Sequence, residues 1–277
     1  MINRQKSRIR RFTLPQRIFH LILILSFLIQ SATGLSRMYL GTSWGKSLTR
    51  LFGGQEQTLD IHIAMGAFMI FGFVAHVIYL IFTFRWRDFP KSLFDSDSLI
   101  PVPKDIKDFF GHIGWFLGMK KMPDFHRWGY WEKFDYWAVF WGMVIIGSTG
   151  LLLAFPLFFT QFVPGWSLNV AFWIHRIEAA LAMAHVFVIH FFIAHLRRRH
   201  FPMDLSIFEG SVDIASTRHE KKKWLQDIRQ SGLYGNALVP DATPIKRMIY
   251  RVFGYGALAI GTFLLIGSLI NINGVAW

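Results

Sequence analysis

The sequence predicts an all-α integral membrane protein, a four-helix transmembrane bundle followed by a fifth, C-terminal transmembrane helix. The chain of 277 residues is 53% hydrophobic and 17% aromatic. It contains five apolar runs, each long enough to cross about 30 Å of hydrocarbon as a helix. A helix satisfies its own backbone hydrogen bonds, as a lipid-embedded chain must. Several runs of this length in one chain exclude an ordinary soluble domain.

The predicted spans cover residues 18–35, 59–84, 136–159, 170–196 and 252–270. Basic residues follow the first, second and fourth of them, and Pro156 interrupts the third near its end. The fifth span contains four glycines and no histidine, which indicates a packing or partner-docking helix.

Three regions follow from this pattern. Residues 1–200 form the membrane domain, with a cytoplasmic loop at 85–132 between its second and third spans. A polar cytoplasmic segment at 201–248 then leads into the fifth helix at 249–277. Within the loop, the sequence from 106 to 119 predicts an interfacial amphipathic helix.

Charge predicts the orientation of the spans. Lys and Arg exceed Asp and Glu by 30 to 17, a net charge of +13. The basic residues concentrate before the first span, in the 85–132 loop and after the fourth span, whereas the opposite side carries only Arg37, Lys46 and Arg50. By the positive-inside rule, we expect a bacterial inner-membrane protein with a cytoplasmic N-terminus and a periplasmic C-terminus. Because the basic clusters flank apolar runs, we exclude nucleic acid as a partner.

Histidines recur at matched spacing on two of the spans. His62 and His76 lie fourteen residues apart, and His175 and His190 lie fifteen apart. On an α-helix either spacing is about four turns, roughly 21–22 Å, and returns both imidazoles to nearly the same face, about −40° and +60° off. Imidazole is a common axial ligand of haem iron, and helix bundles hold haems between facing helices. The pattern therefore predicts two haems, one near each side of the membrane.

Depth within the spans suggests how the ligands pair. His62 and His175 fall near the outer side and are expected to share one haem. His190 falls near the inner side, where both His76 and His20 are candidate partners. A third haem is the alternative in which both of these serve as ligands.

The absence of cysteine restricts the chemistry of this chain. With no cysteine in the sequence, it cannot hold disulfides, cysteine-ligated iron–sulfur clusters or a covalently attached c-type haem. The haems must therefore be of b type, and any iron–sulfur or c-type centre belongs to a partner.

Polar residues near the predicted haems are further candidates. Arg17 and Arg176 could pair with haem propionates, with interfacial snorkelling as the alternative. Lys133, Asp135 and Tyr136 stand at the inner mouth of the third span, where they could bind a quinone head group; interfacial anchoring is the alternative there.

The remaining histidines are less informative. His185 is expected to have a structural or proton-relay role. Four others are expected in solvated loops: His112, His126, His200 and His219.

Several motifs occur in a specific order over about residues 10–210. They are Arg17-Ile-Phe-His20 with Thr33-Gly34, His62 with Gly66, Glu132-Lys133 to Tyr136-Trp137 with Thr149-Gly150-Leu151, and His175-Arg176 to Glu178-Ala179 with His190. In these motifs the chain resembles the cytochrome b subunit of formate dehydrogenases, a superfamily shared with b-type cytochromes of nickel–iron hydrogenases and thiosulfate reductases. The extra histidine at 76 resembles the branch that accompanies multihaem cytochromes c.

The resemblance implies two b haems held by four helices. It assigns His62 and His175 to the outer haem and His20 and His190 to the inner one. This differs from a pairing by depth alone, which gives His76 as the partner of His190. The span-four spacing of fifteen, where the family usually has fourteen, and the fifth span are departures from the family pattern.

The resemblance also implies a respiratory role. The expected function is electron transfer between a periplasmic iron–sulfur or multihaem cytochrome c subunit and the membrane pool of menaquinone or ubiquinone. Two alternatives remain: a standalone transmembrane reductase of the cytochrome b561 kind, and a non-redox membrane anchor.

Overall fold

The computed structural model describes residues 7–198 and 200–275. Three basic residues used to predict the orientation, Arg4, Lys6 and Arg199, lie outside the described residues.

Long apolar helices dominate the described chain and confirm the predicted fold class. Five of the described helices are long and apolar enough to cross a membrane: α1 (Leu14–Met38), α3 (Gln55–Thr83), α5 (Tyr130–Ala154), the span Ser167–Leu196, which begins with α7 (Ser167–Ala184), and α12 (Pro244–Ile270). Most of them begin several residues before the predicted apolar run, because the helical backbone extends past the hydrophobic part of the sequence.

Short elements connect these helices. The helical ones are α2 (Ser43–Leu51), α4 (Pro103–Phe116), α6 (Pro156–Phe159), α8 (Ser206–Glu209), α9 (Ile214–Glu220), α10 (Lys222–Gln230) and α11 (Tyr234–Ala237), with 3₁₀ turns at Trp86–Asp88, Lys91–Phe94 and Ile272–Gly274. The strands are β1 (Arg8–Arg10), β2 (Ser211–Asp213) and β3 (Leu238–Val239).

Two of the predicted spans contain irregular backbone. Helix α5 ends at Ala154, and Pro156 begins α6 instead of continuing α5, since proline lacks the amide donor that a helix interior needs. The fourth span is α-helical only from Ser167 to Ala184 and continues as π-helix at His185–His190 and Phe192–Leu196.

The chain divides into two compact units. The loop unit contains the residues up to Arg17 together with Tyr79–Val139 and Leu205–Arg247. The bundle unit contains Ile18–Ile78, Phe140–Asp204 and the chain from Met248 onward. The predicted regions followed the order of the chain, whereas each compact unit combines three separate segments.

The loop unit is a folded domain with its own small sheet and core. Strand β1 lies between β2 and β3 and pairs antiparallel with both. Ile9 of β1 is fully buried and packs with Trp224 and Leu225 of α10. Apolar residues from distant parts of the sequence therefore meet in one core.

A buried charge cluster joins the same segments. Glu132 forms ion pairs with Arg11 and with Lys221, whose Nζ lies 2.6 Å from Glu132 Oε2. The Gly129 amide donates to the same carboxylate at 2.6 Å. Burial lowers the pKa of the Lys221 ammonium to about 8, although the Glu132 carboxylate acts in the opposite direction.

Three of the histidines expected in solvated loops are half-buried and have side-chain partners, so the prediction that they are fully solvated was wrong. His112 lies 3.0 Å from the Tyr130 hydroxyl, and His126 lies 2.7 Å from an Asp227 oxygen. His200 lies 3.0 Å from Asp204, and its side chain is only 15% exposed. These residues are half-buried because the connecting segments fold; only His219 is exposed as expected.

The bundle unit has its buried apolar core where α12 packs on α1 and the π-helical segment. This core consists of Leu35, Tyr39, Leu48, Phe187 and Leu264. The fifth helix is thus a packing helix of this chain, one of the two roles that its sequence predicted.

Glycines of α12 allow its close approach. A Cβ added at Gly261 would lie 2.7 Å from the Phe191 ring, and one at Gly267 would lie 2.4 Å from the Trp44 ring. The Tyr39 hydroxyl also donates to the Ser268 carbonyl at 3.1 Å.

Candidate haem-binding histidine pairs

Two histidines of different helices face each other in the bundle unit. The rings of His62 on α3 and His175 on α7 have centroids 6.3 Å apart, with an interplanar angle of 77°. Both lie in long apolar helices, where an imidazole is costly unless it has a partner or a function. We call them the threonine-supported pair, for the reason that follows.

The first member of this pair donates a hydrogen bond that fixes its tautomer. Thr33 Oγ1 lies 2.9 Å from His62 Nδ1. The threonine hydroxyl donates its single proton to the Ile29 carbonyl at 2.7 Å, so it can only accept from the imidazole. His62 therefore carries its proton on Nδ1, and the Nε2 lone pair is left available to a metal.

The second member is supported in the same way. Thr149 Oγ1 lies 3.2 Å from His175 Nδ1 and donates its own proton to the Ile145 carbonyl at 2.7 Å. The Ile146 carbonyl lies 3.1 Å from the same nitrogen and can only accept. Nδ1 of His175 is thus the protonated nitrogen, and its Nε2 is also available as a ligand.

A glycine follows each of these threonines and makes room for the ring. A Cβ added at Gly34 would lie 3.4 Å from His62 Cε1, and one at Gly150 would lie 3.1 Å from His175 Cε1. The Thr-Gly dipeptide therefore has the same two roles at both positions. The threonine hydroxyl orients the imidazole, and the glycine lets the imidazole lie against the helix.

Gln30 gives the first histidine additional support. Its Nε2 donates to the His62 carbonyl at 2.9 Å. A Cβ added at Gly66 would lie 2.7 Å from that same Nε2, so glycine is what allows the glutamine to reach the backbone there.

A second pair of rings has the same separation. The centroids of His20 on α1 and His190 lie 6.3 Å apart, with an interplanar angle of 44°. His190 ends the first π-helical turn. We call these residues the π-segment pair.

The π-helix explains the spacing of fifteen residues between His175 and His190. In a continuous α-helix the fifteenth residue is turned about 60° away from the first. A π-turn closes i→i+5 hydrogen bonds and so holds one residue more than an α-turn. The extra residue is thereby absorbed, and His190 faces His20.

His195 is a half-buried residue that sequence reasoning missed. Its ring centroid lies 6.2 Å from that of His190, at 89°. The two residues are five apart, which an α-helix would place about 140° from each other. Only a π-helical backbone aligns positions i and i+5, so the periodicity of an α-helix could not point to His195.

His76, the other candidate partner of His190, contacts aromatic rings. Its ring centroid lies 4.8 Å from that of Phe19 and 6.1 Å from that of Phe140. His185 begins the π-helical segment and is half-buried.

The two arginines considered for propionates have contacts of their own. Arg176 lies over the rings of Phe172 and Trp173, at 5.0 and 5.9 Å from their centroids. In the loop unit, Arg17 donates to the Phe208 carbonyl. Arg17 therefore ties the start of α1 to α8.

The three residues considered for a quinone lie in the first turns of α5, in the loop unit. Lys133 is buried and bonds to an Asp105 oxygen at 2.8 Å and to the Ile100 carbonyl at 3.1 Å. Asp135 and Tyr136 are half-buried, and the Tyr136 ring lies 6.2 Å from that of Trp137. The Lys133 ammonium thus attaches the preceding loop to α5.

The geometry of both pairs fits haem iron. An imidazole nitrogen binds a divalent metal at about 2.0–2.1 Å and its ring centroid lies roughly 1.1 Å behind it, so two rings sharing one metal have centroids about 6.3 Å apart. Both pairs have this separation. In the threonine-supported pair, the protonated Nδ1 atoms also leave both Nε2 atoms available.

Several known proteins are similar to this chain. A family model described as prokaryotic cytochrome b561 matches residues 11–206. The cytochrome b556(fdo) subunit of formate dehydrogenase from Escherichia coli (strain K12) is 22% identical over 231 residues, covering 82% of this chain and 97% of that subunit. The cytochrome b556 subunit of formate dehydrogenase from Haemophilus influenzae is 24% identical over 251 residues, covering 90% of this chain and 96% of that subunit.

Proposed function

Because this chain belongs to the prokaryotic cytochrome b561 family, we propose that it carries electrons through two b haems between a periplasmic partner and the membrane quinone pool. It is a multi-pass membrane cytochrome b, similar to formate dehydrogenase cytochrome b subunits. Haem b held by two imidazoles exchanges one electron at a time and has no open position for oxygen. The observation that carries the proposal is the equal separation of the two histidine pairs.

We assign the ligands by that separation and by the helices that carry the rings: the members of each pair lie on different helices, whereas His195, whose ring lies 6.2 Å from that of His190, belongs to the same helix as His190. His62 and His175 hold one haem, and His20 and His190 hold the other. The contacts of His76 with Phe19 and Phe140 support a packing role beside the second haem, so two haems account for the ligating histidines.

The charge distribution supports an orientation of the chain in the membrane. We propose that the loop unit faces the cytoplasm, because the described basic residues of the loop and of the 201–248 segment belong to it. The N-terminus would then be cytoplasmic, the C-terminus periplasmic, and the membrane the bacterial inner membrane. His62 and His175 would stand near the periplasmic partner, and His20 and His190 near the cytoplasmic side.

The quinone is proposed to react at the π-segment pair. Menaquinone or ubiquinone is the proposed two-electron carrier that exchanges electrons, one at a time, with the haems. Asp135 and Tyr136 are the proposed contacts for its head group, while Lys133 positions the helix turn that carries them. Arg176 and Arg17 remain proposed partners of propionates.

The partner must supply the centres that this chain cannot hold. Because the sequence contains no cysteine, iron–sulfur clusters or c-type haems must come from another subunit. The relatives are named as subunits of formate dehydrogenase, which supports a dehydrogenase as the proposed periplasmic partner. A multihaem cytochrome c is the other proposed partner. Purification of the native complex in mild detergent tests this: such a subunit should accompany the chain, and a chain isolated alone would favour a standalone reductase.

Anaerobic oxidation of the reduced protein by quinone tests the electron path. The dithionite-reduced chain is mixed with a short-chain naphthoquinone, and its haem absorbance is followed for wild type, His62→Leu and His190→Leu. We expect His62→Leu to lose one haem but keep a quinone-oxidisable one. We expect His190→Leu to lose the fast reaction with quinone.

Three results would contradict the proposal. These are the absence of a Soret band from the purified chain, retention of both haems in both single variants, and failure of quinone to oxidise either haem of the wild-type protein.

A further inference from the structure

Helix α4 of the loop unit exposes its apolar face. Exposed apolar side chains recur every three or four residues, and so form one stripe along the helix: Ile106, Phe109, Phe110, Ile113 and Phe116. Phe110 is 62% exposed and Phe116 is 83% exposed. A helix of a soluble domain would bury this stripe.

The polar face of α4 is the one turned toward the protein. Asp105 and Asp108 form ion pairs with Lys133 and Lys104, respectively, and Asp108 is buried. His112 lies 3.0 Å from the Tyr130 hydroxyl. Asp105, Asp108 and His112 therefore have partners inside the loop unit, and the outer side of α4 exposes apolar side chains.

These contacts also fix the level of α4. Lys133 and Tyr130 belong to the first turn of α5, a few residues before the apolar run that starts at 136. One turn later, Trp137 Nε1 donates to the Leu99 carbonyl at 3.0 Å, just before α4 starts. The helix is therefore attached to a membrane-spanning helix at the height where aromatic residues mark the lipid–water interface.

Basic residues border the apolar stripe. Lys107, Lys120 and Lys121 are exposed. The carboxylates of Asp105 and Asp108, by contrast, are neutralised by ion pairs with lysines. The outer side of α4 is therefore apolar in the middle and positive at its edges, which is the composition of a helix that binds an anionic lipid surface.

We propose that α4 lies in the membrane interface, with its apolar stripe in the acyl region and its lysines among the lipid head groups. The occupant of this face is lipid and not a protein subunit, because the helix is attached to the first turn of a spanning helix. In this position α4 attaches the loop unit to the membrane next to the start of α5.

Site-directed spin labelling of the full chain tests this placement. The sequence has no native cysteine, so single cysteines are labelled without background. Phe110→Cys and Ile113→Cys report on the stripe, Val144→Cys on the exposed face of α5 is the lipid control, and Lys222→Cys on α10 is the aqueous control. The protein is reconstituted in nanodiscs of phosphatidylethanolamine and phosphatidylglycerol, and nitroxide collisions are measured with oxygen and with a water-soluble nickel chelate.

Oxygen concentrates in the acyl region and the chelate in water. We expect the oxygen-to-nickel collision ratio at positions 110 and 113 to be several-fold above that at position 222 and to approach that at position 144. A ratio equal to that at position 222 would place the stripe in water and overturn the proposal. Shielding from both reagents would show a protein-covered face and would overturn it as well.

Discussion

The two histidine pairs have the same ring separation of 6.3 Å, but the chain builds them in different ways. The threonine-supported pair lies on regular helices, and each ring is oriented by a hydroxyl whose proton is already used. The π-segment pair depends on irregular backbone, since His190 reaches His20 through π-turns. Side-chain hydrogen bonds orient the rings of the threonine-supported pair, whereas the number of residues per helical turn sets where His190 of the π-segment pair points.

This difference has a physical consequence. A hydrogen bond donated by the far N–H of a ligating imidazole fixes the ring and raises its basicity, so changes at the threonine-supported pair should act on the redox potential. A π-turn controls where a ligand points, so changes at the π-segment pair should act on whether the haem is held at all. The predictions below test this contrast.

The largest expected effect separates the two candidate partners of His190. We expect His20→Leu to lower the haem content from two to one per chain, because it removes a ring that faces His190 at 6.3 Å. His76→Leu should retain both haems, since a leucine keeps the contacts with Phe19 and Phe140 apolar. Pyridine haemochrome counting on purified variants measures this, and loss of a haem from His76→Leu alone would favour pairing by depth.

A single-residue deletion tests the backbone at the π-segment pair. Deleting Val188 restores a spacing of fourteen between His175 and His190, and the segment can then continue as α-helix. We expect this variant to retain both haems. The matched control deletes Leu25, a lipid-exposed residue of regular helix α1, which rotates His20 relative to Thr33 by about 100° and should abolish one haem.

Haem counts and reduced-minus-oxidised spectra of the two deletion variants measure whether His190 needs the π-turns to bind haem. Loss of a haem from the Val188 deletion would mean that the π-turns are required for ligation and do not merely accommodate an extra residue. Retention in both variants would show that helical register does not position His20.

Local patterns in the sequence predicted the spans and brought His62 and His175 to one depth. They did so because hydrophobic length and helical repeat are properties of one segment at a time. His195 could not be found in this way, since only a π-turn aligns it with His190. The loop unit could not be found either: β1 is three residues long, and its partners β2 and β3 lie about two hundred residues further along the chain. Thr33 and Thr149 were visible as motif residues, but their role depends on where their protons go.

A smaller effect is expected at the threonine of the first pair. In Thr33→Val the His62 imidazole loses its hydrogen-bond acceptor and becomes less basic. A less basic ligand stabilises the oxidised haem less than before, and this loss is larger for the oxidised than for the reduced haem. The midpoint potential of one haem should therefore rise by tens of millivolts, with about 59 mV corresponding to a tenfold change in relative affinity. Potentiometric titration measures this, and Thr33→Ser should restore the wild-type value. An equal shift in Thr33→Ser, or a shift of the other haem, would contradict the assignment.

The smallest effect is expected at the two glycines, and it should be unequal. In Gly34→Ala the new methyl meets His62 Cε1 at 3.4 Å, an ordinary contact, whereas in Gly150→Ala the distance to His175 Cε1 is 3.1 Å and the ring must shift by a few tenths of an ångström. A ligating ring displaced in this way binds iron with strained geometry. We therefore expect Gly150→Ala to retain two haems but to change the low-spin ferric EPR signal of one of them, while the Gly34→Ala spectrum stays as in wild type. If Gly34→Ala changed the spectrum more, the close contact at Gly150 would not be what limits the position of the ring.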